Sequence, residues 1–347
     1  MSRTLAEPVV QTLREALVRQ PPVDTLLWGR GLGAIARELN GDVKVHTLLQ
    51  DAREANAPIG PSSFGVFAPS VPFERIVTRL PRSKEGLRWR LAASAAALPA
   101  GGELWVAGQQ REGIKSTVKL LEELVGETVT VHTKRRCRVL VSRRRDAPCL
   151  APSLDDEARS VGFEFKGQPL TGVTLPGVFA HGRFDAGTQR LLSWLGIQKV
   201  KGRVLDLGAG AGFIGLACAT VPAVSHVHMV DTDWIAVESM KRTIAANPGV
   251  EVSPIATEHS DVFEANRGPF DLVVTNPPFH DGRDEDRQLI ARFARAAALR
   301  LRPRGRFLAV CNTHLPYREA LSAHFGRVEI AWEDNRFRVW SCVAPRS

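Results

Sequence analysis

No apolar run in the 347 residues approaches the roughly 20 positions that a membrane-spanning helix needs, so no such span is expected. The opening residues, Met1-Ser2-Arg3-Thr4-Leu5-Ala6-Glu7-Pro8, lack the basic-then-apolar pattern of a secretory signal. Cysteine is sparse: five residues, at 137, 149, 218, 311 and 342, scattered, odd in number and without a CxxC pair. Such spacing argues against a disulfide framework and against a zinc site. The expectation is a cytoplasmic protein with reduced thiols and no metal.

What is present is charge, unevenly placed. The net charge is +9, and residues 1–150 hold 23 Lys+Arg against 15 Asp+Glu, a surplus of eight, leaving one for residues 151–347. A basic half joined to a near-neutral half suggests polyanion attraction in one and chemistry in the other. A solvated arginine-rich face is the plain alternative. The runs Lys134-Arg135-Arg136-Cys137-Arg138 and Arg143-Arg144-Arg145 flank one expected strand, Val139–Val141. Arg135, Arg136, Arg143 and Arg144 are therefore the candidate polyanion contacts.

Apolar runs alternate with helical spacings along the chain. Strands are expected at 43–49, 72–78, 103–107, 139–141, 204–207, 226–230, near Val252, and at 270–275 and 306–311. Helices are expected at 9–19, 85–98, 117–124, 186–195, 214–220, 234–246 and 285–301, with two closing β segments at 328–332 and 337–343. This alternation points to α/β units with mostly parallel sheets. The proline-containing stretch 146–152 reads as a linker, dividing the chain into 1–150 and 151–347.

The two parts repeat each other. Pro72-Phe73-Glu74 with Val77-Thr78 matches Pro269-Phe270-Asp271 with Val274-Thr275, and Gly29-x-Gly31-x-Gly33 matches Gly208-x-Gly210-x-Gly212. The copies differ where chemistry would sit: Leu27 stands for Asp206, about Leu49 for Asp231 and Arg79 for Asn276. A duplicated domain whose first copy has lost its reactive groups is the expectation.

Asp206-x-Gly208-x-Gly210-x-Gly212 follows an apolar strand and opens a helix, the arrangement that lets backbone approach a nucleotide-like ligand. The dinucleotide fingerprint requires a sixth-position glycine, and Phe213 stands there, which disfavours an NAD enzyme. Asp231, ending the next strand, suits a ribose diol, and Asp261 an adenine amine, although either also fits a helix cap. Asn276-Pro277-Pro278-Phe279 ends another strand. Its prolines fix the backbone, so the Asn276 amide and the Pro277 carbonyl can accept the two hydrogens of a planar amine while Phe279 stacks on the base. A turn with an Asx bond is the plain alternative. Trp234 and the capping residues Asp185 and Thr188 are secondary candidates beside the cofactor.

These motifs resemble class I S-adenosylmethionine-dependent methyltransferases, and specifically the ribosomal RNA small subunit methyltransferase C family. The resemblance rests on Pro176–Phe179, Phe184-Asp185-x-Gly187-x-Gln189, Asp206–Gly212 and Asn276–Gly282, with Leu315-Pro316-Tyr317 and Phe337-Arg338-Val339. It implies two tandem Rossmann-like methyltransferase domains: a degenerate, RNA-binding scaffold over 1–150 and a catalytic domain over 151–347. It also implies S-adenosylmethionine as cofactor and N2 methylation of a guanosine in 16S rRNA by a monomer acting on the small ribosomal subunit. On this resemblance Asp206, Gly208, Gly210 and Asp231 face the cofactor and Asn276 to Phe279 the guanine, while Gly212 and Asp261 join the cofactor set from the loop and turn read above. Large-subunit rRNA, adenine N6 and a glutamine side-chain amide remain alternative substrates, and a non-catalytic rRNA assembly factor an alternative class.

Overall fold

The runs Thr25–Trp28 and Val204–Leu207 are buried at every position, as central strands covered by helices on both faces must be. The computed structural model describes residues 7–36, 38, 39, 44–54, 62–65, 73–81, 83–250, 252–261, 268–278 and 283–344. The chain divides into two compact units, Met1–Glu157 and Ala158–Ser347.

The first unit runs α1 (Pro8–Leu17), β1 (Thr25–Trp28), α2 (Gly33–Ala36), β2 (Val45–Leu49), β3 (Ser62–Phe64), β4 (Arg75–Arg79), α3 (Lys84–Ala97), β5 (Glu103–Gln109), α4 (Thr117–Leu124), β6 (Thr128–Lys134) and β7 (Cys137–Arg143). Its sheet order is β3-β2-β1-β4-β5-β7-β6, parallel except that β7 runs against both neighbours. Val9, Leu13 and Leu17 of α1 pack with Leu27, Trp105 and Val139 as its core.

The second unit opens with a hairpin, β8 (Arg159–Phe165) and β9 (Gln168–Thr174). It continues through α5 (Ala186–Gly196), β10 (Gly202–Leu207), α6 (Phe213–Ala219), β11 (Val224–Asp231), α7 (Trp234–Ala245), β12 (Ile255–His259), β13 (Phe270–Thr275), α8 (Arg283–Ala298), β14 (Leu301–Asn312), α9 (Arg318–Ser322), β15 (Arg327–Glu333) and β16 (Phe337–Val343). The sheet order is β12-β11-β10-β13-β14-β16-β15. Counted within each sheet, both orders are 3-2-1-4-5-7-6. The two copies also share a buried bond at the same register: Thr78 Oγ1 donates to the Trp28 carbonyl at 2.8 Å, and Thr275 Oγ1 to the Leu207 carbonyl at 2.7 Å.

Some expectations shift. Val252 lies outside the strand, which begins at Ile255. The helix expected over 285–301 ends at Ala298 and Leu301 already belongs to β14, because Pro303 disfavours helix for the residue before it and lacks an N–H. Strand β6, absent from the expectations above, is an edge strand whose two valines, Val129 and Val131, stay exposed.

The hairpin is tied to α7 by side chains. Asn247, just beyond the helix, exchanges two bonds with Thr171, at 2.9 and 2.6 Å. Thr243 Oγ1 accepts from Val173 N at 2.9 Å and donates to its carbonyl at 3.2 Å, and Ser239 Oγ accepts from Leu175 N at 3.2 Å. Four helical residues advance about 6 Å and two strand residues about 6.7 Å, so the spacing of three polar groups on the helix matches alternate amides of the strand. The rings of Phe163, Phe184 and Phe213, with centroids 5.0–5.4 Å apart, join the hairpin to the start of α6.

Candidate active site

In an open α/β sheet, ligands sit beyond the carboxyl ends of the strands where the order reverses, here between β10 and β13. Three sequence candidates emerge at that crevice: the glycine loop after β10, Asp231 at the end of β11, and Asn276 after β13. Gly208, Gly210 and Gly212 all adopt positive φ (73°, 58° and 82°), which other residues take only at a cost. Space beside the Gly210 Cα is open: an added Cβ would meet nothing within 4 Å.

Asp206 lies beneath the loop, fully buried. One carboxylate oxygen accepts from Gly215 N at 2.8 Å, and the other, Oδ1, has no partner among the described residues. Burial raises its pKa from 3.8 to about 7, partly offset by the Gly215 bond and helped by the Asp231 charge. Asp231 braces the same loop: Oδ2 accepts from Gly210 N and Oδ1 from Asp233 N, each at 2.9 Å. The Asp233 carboxylate caps α7 through Ile235 N at 3.0 Å.

A ligand for this pocket should bring positive charge and hydroxyl donors. S-adenosylmethionine has both, in its ammonium and sulfonium and in its ribose diol. An orphaned buried carboxylate oxygen, a second half-buried carboxylate and an uncovered glycine loop fit that molecule.

Asn276 is the best-oriented group. Its side-chain nitrogen donates to Asp185 Oδ2 at 2.8 Å and to Thr188 Oγ1 at 2.9 Å. An ionised carboxylate only accepts, so the atom facing Asp185 must be Nδ2, and Oδ1 is left to face elsewhere. No described residue takes that oxygen. Asp185 is also the N-cap of α5, accepting from Thr188 N at 2.8 Å, so one carboxylate both starts the helix and aims the amide. Gly187 makes room: a Cβ there would lie 3.1 Å from Asp185 Oδ2, 3.3 Å from the Phe337 ring and 3.6 Å from Asn276 Nδ2. Pro277 is buried and Pro278 exposed, while Phe279 lies outside the described residues.

The secondary candidates separate. Trp234 packs edge-on to His259, with ring centroids 5.1 Å apart, and lies under Lys241 Nζ at 5.4 Å. Asp261 stands two residues past β12, half-buried, and its charge acts on the Arg300 guanidinium. Asp185 and Thr188, by contrast, move to the centre of the site.

The four candidate arginines do not form one patch. Arg135–Arg136 turn β6 into β7 and Arg143–Arg144 leave its far end, so six residue steps, about 20 Å, separate them. Glu15 accepts from Arg135 at 2.8 Å and Lys134 at 2.9 Å, and these bonds lower its pKa to about 2. Arg144 donates to the carbonyls of Ala95 and Ala147. Arg136 and Arg143 are exposed, Arg143 only 3.5 Å from Glu103.

In the first unit the equivalent crevice is closed by its own side chains. Strand register places Leu27 at the Asp206 position and Leu49 at that of Asp231. Arg79, in place of Asn276, donates to Glu7 at 2.7 Å and to the Arg30 carbonyl at 3.0 Å. Glu54 accepts from Gly31 N, the bond that Asp231 makes to Gly210 in the second unit.

Residues 169–341 match the methyltransferase small domain and residues 23–153 its N-terminal companion. A ribosomal RNA small subunit methyltransferase C of Pseudomonas putida is 36% identical over 293 residues, 84% of this chain and 85% of the relative. Its counterpart in Shewanella sediminis is 32% identical over 87% of this chain and 86% of its own. The solved T. thermophilus 16S rRNA N2 G1207 methyltransferase, in complex with AdoMet and guanosine, is 29% identical with a TM-score of 0.85, covering 99% of this chain and 93% of that one. With paired sheets of one topology, a glycine loop over a buried carboxylate and an aimed asparagine, the chain belongs to the ribosomal RNA small subunit methyltransferase C family.

Proposed function

We propose that the second unit transfers a methyl group from S-adenosylmethionine to the exocyclic N2 of a guanosine in 16S rRNA, acting as a monomer on the small ribosomal subunit in the cytoplasm. The observation that carries this reading is the Asn276 amide, whose nitrogen is held by Asp185 and Thr188 so that its oxygen is left as an acceptor.

The bound cofactor supplies an electrophilic methyl carbon on a sulfonium. Asp206 and Asp231 would hold its ammonium and ribose. Asn276 Oδ1 and the Pro277 carbonyl accept the two N2 hydrogens and draw the nitrogen lone pair out of conjugation with the ring, facing the methyl carbon. The cofactor, when bound, would give its methyl to N2 as its C–S bond breaks to leave S-adenosylhomocysteine, and the surplus N2 proton would pass to solvent. The base must be unpaired or flipped, because a stacked guanine cannot present its amine. The first unit, its own crevice filled, acts as scaffold and RNA-docking surface, with Arg136 and Arg143 as its exposed cations, Arg143 paired to Glu103 at 3.5 Å.

The test is transfer of labelled methyl from S-adenosylmethionine to unmethylated 16S rRNA, offered naked and as 30S subunits, with nucleoside analysis. N2-methylguanosine is the expected product. N6-methyladenosine, or label in protein alone, would overturn the substrate.

A further inference from the structure

A cavity of about 260 Å³ opens on the second unit at the end of the sheet away from the glycine loop. It lies between the residues leading into β10 and the starts of β13 and β14, and its lining includes Lys199, Lys201, Arg302, Arg304, Arg306 and the aromatic Trp194. Among the described lining residues the one carboxylate, Asp271, is already engaged: it accepts from Arg203 N at 2.8 Å and from Arg302 Nη1 at 3.0 and 3.2 Å. Lys199, Lys201, Arg304 and Arg306 are exposed, and none of their side chains bonds to a described residue.

The duplicated fold provides an internal control. Register aligns Arg306 with Glu103, Gly305 with Gly102 and Arg304 with Gly101. It likewise aligns Lys201 with Pro22 and Lys199 with Gln20. Gly101 and Arg304 share the same left-handed backbone, at φ 79° and 64°. Glycine takes that conformation freely and arginine does not. The second unit thus keeps a guanidinium where its sister copy keeps the residue the turn prefers, and it reverses or adds charge at the neighbouring positions. Unneutralised cations around an aromatic are the composition of a site that tracks an unpaired nucleic-acid strand.

We propose that this basic pocket holds the phosphodiester backbone of the RNA substrate, at a distance from the reacting base. The proposal rests on the reading of the second unit as an rRNA methyltransferase. Asp271 at the pocket and Asn276 at the site are five strand residues apart, about 17 Å, so a strand that carries the target base into the crevice can touch both.

The test uses the full chain and the triple variant Lys201→Gln/Arg304→Gly/Arg306→Gln. Arg304→Gly restores the residue the turn favours, so the variant should fold. Cofactor Kd, KM for naked 16S rRNA and for 30S subunits, and RNA binding by filter retention are measured across salt. The expected result is an unchanged cofactor Kd, KM for naked RNA raised about tenfold, and a log–log salt slope for RNA binding shallower by about 2–3, at 0.7–0.9 per lost phosphate contact. If the triple variant melts early, Arg304→Gly alone should still flatten the slope by about 0.7–0.9. An unchanged slope overturns the pocket, and an effect on 30S subunits alone assigns it to an acidic protein face instead. Wild-type protein that methylates neither substrate would refute the functional reading, while filter retention would still judge the pocket.

Discussion

Asp206→Asn isolates the buried carboxylate beneath the loop. In the wild type this acid has a pKa of about 7 in the folded chain against 3.8 as its ordinary value. The folded state therefore binds more protons than the unfolded state between those limits. Stability contributed by the protonated form is fully present below about pH 4 and is lost as pH rises through 7, in total about 4 kcal/mol. Asparagine does not titrate. It keeps an oxygen for Gly215 N but places an NH2 group where Oδ1 has no partner, a pH-independent cost of about 1–3 kcal/mol. The variant should thus be the less stable protein at pH 4 and the more stable at pH 8, in urea melts without cofactor. The same substitution removes the anion that faces the cofactor, so Kd should weaken by about 10–100-fold, a charged hydrogen bond's worth. Wild-type affinity should tighten as pH rises towards 8, because the ionised form binds the cation. A stability difference that stays constant from pH 4 to 8, or an unchanged cofactor Kd, would refute the reasoning.

Asn276→Ala should lower methyl transfer by at least about 10²-fold while cofactor Kd, read by calorimetry, stays put; loss of cofactor binding instead would displace the site. Thr188→Val deletes one of the two anchors of the Asn276 amide and leaves the Asp185 cap on α5 in place. Its kcat should fall roughly tenfold, and an unaltered kcat would mean the amide needs no such aiming. Thr243→Val strands both the N–H and the carbonyl of Val173 in a buried setting, at about 1–3 kcal/mol each. Urea melts at one pH measure this, and a loss below about 0.5 kcal/mol would show that the helix contributes little to holding the hairpin.

The tandem architecture was legible because glycine, proline and β-branched residues repeat in both halves. Register then placed Leu27, Leu49 and Arg79 opposite Asp206, Asp231 and Asn276. Local sequence could not show that Asp206 is sealed from water, since burial depends on the helix and loop laid over it. Nor could it couple Asp185 to Asn276, 91 residues away. Nor could it pair the basic run with Glu15, 120 residues from Arg135, which neutralises part of it. Strand β6 was missed although Thr128-Val129-Thr130-Val131 alternates, because only two apolar residues mark it and both stay exposed. Arg304 carries no sequence motif, and only its left-handed backbone, shared with Gly101 at the equivalent turn of the other copy, singles it out.

The polar ladder on α7 has a consequence for how the molecule behaves in a crowd. A lone two-stranded hairpin is marginal in water, and its bare rims are templates on which a stranger's strand can zip. Asn247, Thr243 and Ser239 occupy the rim of β9 as a surrogate strand built from side chains. The rim of β8 carries Arg159 and Glu164, both exposed. The hairpin is thus closed to sheet extension on one side by hydrogen bonding and discouraged on the other by charge, and the protein gains solubility from three small polar residues on a helix.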